Sequence, residues 1–143
     1  MTQTYSTYVT TWGTDPLVQV QDMISKSVIQ TGTRVILAFA SFNFSSIDYI
    51  PGFGNISMEE TQQITNLVHS HGGKISLSVG GATYPFANSD LYNRPGDLAS
   101  NINQVLIKCG FDGVDFDIED PSSVPGDFVT NAASLINTLK NIN

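Results

Sequence analysis

Basic residues are scarce in this chain: 6 Lys and Arg stand against 13 Asp and Glu over 143 residues, a formal charge of -7. With a pI near 4.4, such a balance repels polyanions. Nucleic acid and an anionic membrane face are excluded as natural partners, and a neutral or cationic ligand is favoured. Cysteine is reduced to Cys109, so no internal disulfide can form and the redox compartment is not written in the sequence. At the end of a helical stretch, that residue reads as a small buried hydrophobe. No apolar run approaches membrane-spanning length. The start, Met1-Thr2-Gln3-Thr4-Tyr5, has neither a basic n-region nor an apolar h-region, so no export signal is expected in the chain as it stands. No linker or low-complexity tract divides residues 1–143, which read as one domain. A hydrophobic content of 41% suffices for packed layers and excludes a disordered or fibrous chain.

What is present is an alternation. Four times a short apolar run is followed by helical periodicity, the mark of successive β-α units on a parallel sheet. The first strand is expected from Tyr5 to Trp12. Asp15 then caps a helix with Pro16 at its first position, and Leu17, Val20, Ile24 and Val28 form an apolar stripe ending at Gly32. The run from Val35 to Ala40 is apolar on both faces, as a buried parallel strand requires. Ser57 and Glu60 make a capping box for a helix that buries Ile64, Leu67, Val68 and His71. A third strand is expected from Lys74 to Gly81. The third helix, Pro95 to Cys109, buries Leu98, Ile102, Val105 and Leu106. A fourth strand follows at Phe111 to Glu119. A last helix started by Pro125 places Phe128, Val129, Ala132, Leu135, Ile136 and Leu139 on one side. Two long connections, 43–56 and 82–94, follow the carboxyl ends of strands, where such folds place ligands. They carry Phe44, Tyr49, Phe53, Tyr84, Phe86 and Tyr92, which could stack on sugar rings or merely cap the sheet edge.

The fourth strand carries the chemistry. Its two-residue period sends Val114, Phe116 and Ile118 to one face and Asp115, Asp117 and Glu119 to the other. The apolar face must pack on helices, so the carboxylates turn toward the opposite space, which in a closed barrel is the interior. Same-face neighbours about 7 Å apart repel by about 2.4 kcal/mol when both are ionised at an effective dielectric near 20. A proton shared along the row is expected, kept by Glu119 at the end where substrate arrives. On strand three, Ser76, Ser78 and Gly80 share a face and would set hydroxyls beside the acids, while Gly80-Gly81 allows a ligand close to the backbone. Two plainer readings of the acidic row stand beside this one: a solvated face of an antiparallel strand, and a divalent-metal site. His69 and His71, near a helix end, read as structural.

The string Asp112-Gly113-Val114-Asp115-Phe116-Asp117-Ile118-Glu119 resembles the DGxDxDxE signature of family 18 glycoside hydrolases, the chitinases. Ser78-Val79-Gly80-Gly81 is similar to their SxGG motif, and Tyr8 to Trp12 and Ala38-Phe39-Ala40 look like their first and second strands. The resemblance implies an α/β fold of parallel β-α units. Four strands and four helices make half of a (β/α)8 TIM barrel, the amino-terminal half, where a complete barrel has eight units and about 250 residues. It implies a hydrolase of β-1,4-linked N-acetylglucosamine polymers, working without cofactor or metal. Glu119 would be the proton donor, Asp117 the residue that orients the substrate's acetamido group, and Asp115 the residue that tunes Asp117. The acetamido group itself attacks the anomeric carbon in this family. Tyr8, Phe39, Ser78, Gly81 and Ala82 are implied as substrate-binding residues, with chitin or an N-acetylglucosamine oligosaccharide as partner and secretion as the natural setting. The family's later strands contribute a tyrosine and a tryptophan to the sugar site that have no counterpart here. A homodimer or a missing carboxyl-terminal half is therefore expected to complete the barrel. The alternative is a catalytically inactive, lectin-like protein that binds chitin oligosaccharides. A third reading is a doubly wound four-stranded domain, which leaves the acidic row unexplained.

Overall fold

A computed structural model describes residues 4–42, 49–50, 56–82, 95–117, 119 and 128–142. The elements run β1 (Tyr5–Thr10), α1 (Pro16–Ser25), β2 (Thr33–Phe42), β3 (Tyr49–Ile50), α2 (Met58–Ser70), β4 (Lys74–Gly80), α3 (Pro95–Cys109), β5 (Gly113–Asp117) and α4 (Phe128–Ile142). Four strands lie parallel in the order β1-β2-β4-β5. The half-barrel alternation of the sequence is thus the observed fold. The fifth strand is an addition: within the connection read as a loop, Tyr49 and Ile50 pair antiparallel with Phe42 and Ser41. Phe44, Phe53, Tyr84, Phe86 and Tyr92 lie outside the described residues, as does Ile118.

Local chemistry sets the helix starts. The Asp15 carboxylate accepts from Leu17 N at 2.7 Å and Val18 N at 3.4 Å, with Pro16 supplying a preset first residue. For α2 the box is reciprocal, Glu60 N donating to Ser57 Oγ at 3.1 Å and Ser57 N donating to Glu60 Oε2 at 2.6 Å. One core lies between sheet and helices, built on Val9, Val35, Leu37, Ile75, Leu77 and Val79 from the strands. Helices supply Val20, Ile64, Val68, Leu98, Ile102, Val105 and Leu106 to the same cluster.

Three expectations are corrected. Helix α1 stops at Ser25 because the chain turns at Lys26 and Ser27, the latter in the left-handed region at φ 58, so Val28 leaves the apolar stripe and is 43% exposed. Ile29 enters the core instead. His71 is the exposed C-cap of α2 rather than part of its buried face. On α4, Leu139 is buried but Ile136 is 41% exposed, so the continuous stripe expected there does not all reach the core.

Strand β5 is shorter than the run from Phe111 to Glu119. Phe111 packs into the core before it, and Glu119 lies beyond its last residue. The register of β2 against β4 breaks between Leu37 and Ala40, around the cis Ala38–Phe39 peptide. Leu37 and Ala40, an odd number of residues apart, consequently both face the helices in the core cluster. Strict alternation would send Phe39 to the helix side with Leu37; the irregularity releases its ring toward the carboxyl ends of the strands.

Candidate active site

Away from the helices, β1, β4 and β5 present Tyr8, Ser78, Asp115 and Asp117. Ser78, fully buried, donates from Oγ to Asp115 Oδ2 at 2.7 Å. That bond follows from the pairing of Ser78 with Asp115 across the parallel ladder, two positions before Gly80 with Asp117. Gly81 N then donates to Asp117 O at 2.9 Å and extends the contact past the end of β4. Both aspartates are half-buried, and Glu119 is exposed just past the end of β5. Exposure thus rises along the row from the two aspartates to Glu119.

Tyr8 joins this group from the far edge of the sheet. Partial burial and then the negative charges of Asp115 and Asp117 raise its hydroxyl above the ordinary tyrosine range. Phenol and acids thus share one electrostatic space, although two strands separate them in the sheet order. Phe39 lies against Gly81: a Cβ built there, at φ +82, would stand 2.8 Å from Phe39 Cε2. Glycine is needed at 81 both for its backbone angle and for the ring beside it. Ala82 is exposed just beyond. Among the described residues, no three His, Cys, Asp or Glu side chains converge as a metal cluster.

One contributor was not singled out as a site residue in the sequence. The Trp12 ring stacks on Phe39 with centroids 5.6 Å apart and planes 16° apart, and half of it remains exposed. An aromatic just past the end of the first strand was the available signal. Asp112, the first acid of the motif, does not reach the site at all. Its Oδ2 accepts from Ile75 N at 2.8 Å and meets His69 Nε2 at 2.8 Å, while Oδ1 accepts from Lys74 Nζ at 2.9 Å. Burial alone would push this carboxyl up; the Ile75 amide, His69 and Lys74 together outweigh it and hold the group below the usual carboxylate range. Asp112 therefore anchors the entry of β5 to α2 and β4. His69 is structural through this bond, and His71 Nδ1 sits 3.0 Å from Leu67 O.

The sequence profile of glycosyl hydrolases family 18 matches residues 4–143. The chain belongs to that family. No curated protein matches it. Among solved structures, a chitinase from Rhizomucor miehei superposes with a TM-score of 0.72 at 23% identity, covering 97% of this chain and 43% of that one. A family 18 chitinase from Pseudoalteromonas aurantia gives 0.73 at 19% identity, covering 97% and 51%. A Nicotiana tobaccum class V chitinase, solved as a glutamate-to-glutamine mutant with NAG4 bound, gives 0.65 at 18% identity, covering 99% and 39%. Six such chitinase structures are matched over only 37% to 51% of their length, so this chain spans about half the length, or less, of the solved chains it matches.

Proposed function

We propose that this family 18 chain carries the acid side of a chitinase-type active site, acting on β-1,4-linked N-acetylglucosamine polymers. The observation that carries the reading is the Ser78–Asp115 bond beside Asp117, with Glu119 exposed just past the end of β5 and Tyr8 in the same field. Glu119 gives its proton to the glycosidic oxygen as that bond to C1 breaks. The carbonyl oxygen of the substrate's own acetamido group attacks C1 from the opposite side. Asp117 holds the acetamido N–H and balances the positive charge that develops on the ring so formed. Water then adds to C1 and loses a proton to the Glu119 carboxylate, which restores the acid. Asp115, fixed by Ser78, keeps Asp117 oriented from below. Tyr8, Phe39, Gly81 and Ala82 border the sugar, and the exposed Trp12 face offers a further ring a stacking surface.

Strands β1 and β5 stand at the two ends of the sheet order. Beside β5 runs an apolar groove of about 510 Å³ lined by Leu106, Val114, Phe116, Ile136 and Leu139. A second half-barrel, from another copy of the chain or from further polypeptide, would extend the sheet at these two end strands and supply the rest of the sugar site. The half-open Trp12–Phe39 platform also supports the second reading, a chitin-oligosaccharide-binding protein without turnover.

One comparison separates the two. A fluorogenic chitobioside and its de-N-acetylated analogue are offered to the purified chain, and binding of each is measured beside hydrolysis. Release of fluorophore only from the N-acetylated compound is expected of the enzyme. Binding without release leaves the lectin-like reading standing, and neither binding nor release removes both.

A further inference from the structure

The turn between β1 and α1 holds Trp12, and a single side chain from α1 holds that turn. Gln19, half-buried, donates from Nε2 to Thr10 O at 2.8 Å and to Thr14 O at 2.6 Å, and its Oε1 accepts from Thr10 N at 3.1 Å. Thr10 in turn donates from Oγ1 to Trp12 O at 3.0 Å. One carboxamide thus satisfies both main-chain groups at the end of β1 and one on the far side of the turn. The bonds clamp the segment from Thr10 to Thr14 at both ends. Between them, Gly13 at φ +83 has nothing within 4 Å of a Cβ built on it, so packing there does not hold the turn.

We propose that Gln19 is a positioning residue of the glycan site, resting on the reading above. Its carboxamide fixes the turn that sets the Trp12 ring against Phe39, and so keeps one aromatic face turned outward as a preformed platform. Gln19 touches no sugar. Preorganisation is its contribution: without the clamp, Trp12 must be ordered when the ligand arrives, and affinity falls by that cost.

Trp12 is the sole tryptophan of the 143 residues, so its emission reports on this ring and no other. Wild type, Gln19→Met, Gln19→Glu and the neighbouring exposed-residue control Val18→Ala are compared as folded 143-residue chains. Tryptophan emission, acrylamide quenching and affinity for tetra-N-acetylchitotetraose are measured on each. Gln19→Met keeps the volume and loses every hydrogen bond of the carboxamide. Gln19→Glu keeps the acceptor for Thr10 N and sets a carboxylate against two carbonyls. Both are expected to shift Trp12 emission to longer wavelength, to raise quenching about twofold, and to weaken the tetrasaccharide about fivefold, with Val18→Ala unchanged. Wild-type emission, quenching and affinity in both Gln19 variants, even with a lowered melting temperature, would overturn the assignment, since a purely structural residue destabilises without moving Trp12 in the folded state. If wild type shows no response to the sugar, the glycan reading fails, while emission and quenching still decide what Gln19 holds.

Discussion

Gly81→Ala tests how the site is built, because the cost of the added methyl can be divided. The new Cβ meets two obstacles: a backbone at φ +82 and the Phe39 ring, with Cε2 at 2.8 Å and Cζ at 2.9 Å. The first costs about 1–2 kcal/mol for an L-residue in the left-handed region. The second requires the ring to move by several tenths of an ångström, and such overpacking costs about 1–3 kcal/mol. Gly110→Ala is the control, because Gly110 has nearly the same angle, φ +79, but its Cβ would meet the Thr65 side chain no closer than 3.4 Å. Urea unfolding at 25 °C is thus expected to show a loss of about 1–2 kcal/mol for Gly110→Ala and about 2–5 kcal/mol for Gly81→Ala. Because Phe39 stacks on Trp12, only Gly81→Ala is expected to alter Trp12 emission. Equal losses from the two variants with unchanged emission would refute the reasoning that Gly81 exists to admit the ring.

Other outcomes follow from single contacts. Asp112→Asn weakens the acceptor of three groups and is expected to cost about 1–3 kcal/mol in urea unfolding. Since the folded-state pKa of Asp112 lies below its unfolded value, its contribution is complete above the unfolded pKa, near 3.9, and is lost as pH falls through the folded one. The fall in stability of wild type below about pH 4, measured by denaturant midpoint, is therefore expected to be shallower in Asp112→Asn. Asp117→Asn removes one of the charges that raise the Tyr8 hydroxyl, so the ¹³Cζ titration of Tyr8 is expected to move down; an unmoved curve would separate the phenol from the acids. Leu37→Ala, at a residue 2% exposed in the centre of the core, is expected to cost about 2–5 kcal/mol.

The fold was largely legible because its signals are local. Asp15-Pro16, the Ser57–Glu60 box and the doubly apolar Val35–Ala40 run each state their element in a few residues, and alternation with helical periods leaves little choice but a parallel sheet. In the site, the two-residue period set the Ser76 and Ser78 hydroxyls on the side of the acids, and the ladder register then pairs Ser78 with Asp115. What escaped was non-local or irregular. The break near Ala38 and Phe39 depends on how β2 meets β4, and period-two reasoning cannot foresee it. The end of α1 at Ser25 rests on one left-handed residue, Ser27, whose type does not announce that angle. Asp112 stood in the sequence only as the first acid of the motif, and its partners are Lys74, Ile75 and His69, at least 37 residues away. Gln19 is an ordinary helix residue in the sequence and acquires its meaning only where α1 folds back on the end of β1.

The central claim is that Glu119 delivers the proton that breaks a glycosidic bond, and the most direct measurement is the rate of chitobioside cleavage by the wild-type chain beside Glu119→Gln. The amide cannot donate in the same way, so a loss of about 100-fold or more is expected while oligosaccharide affinity stays within about twofold. Equal rates from the two chains would contradict the claim.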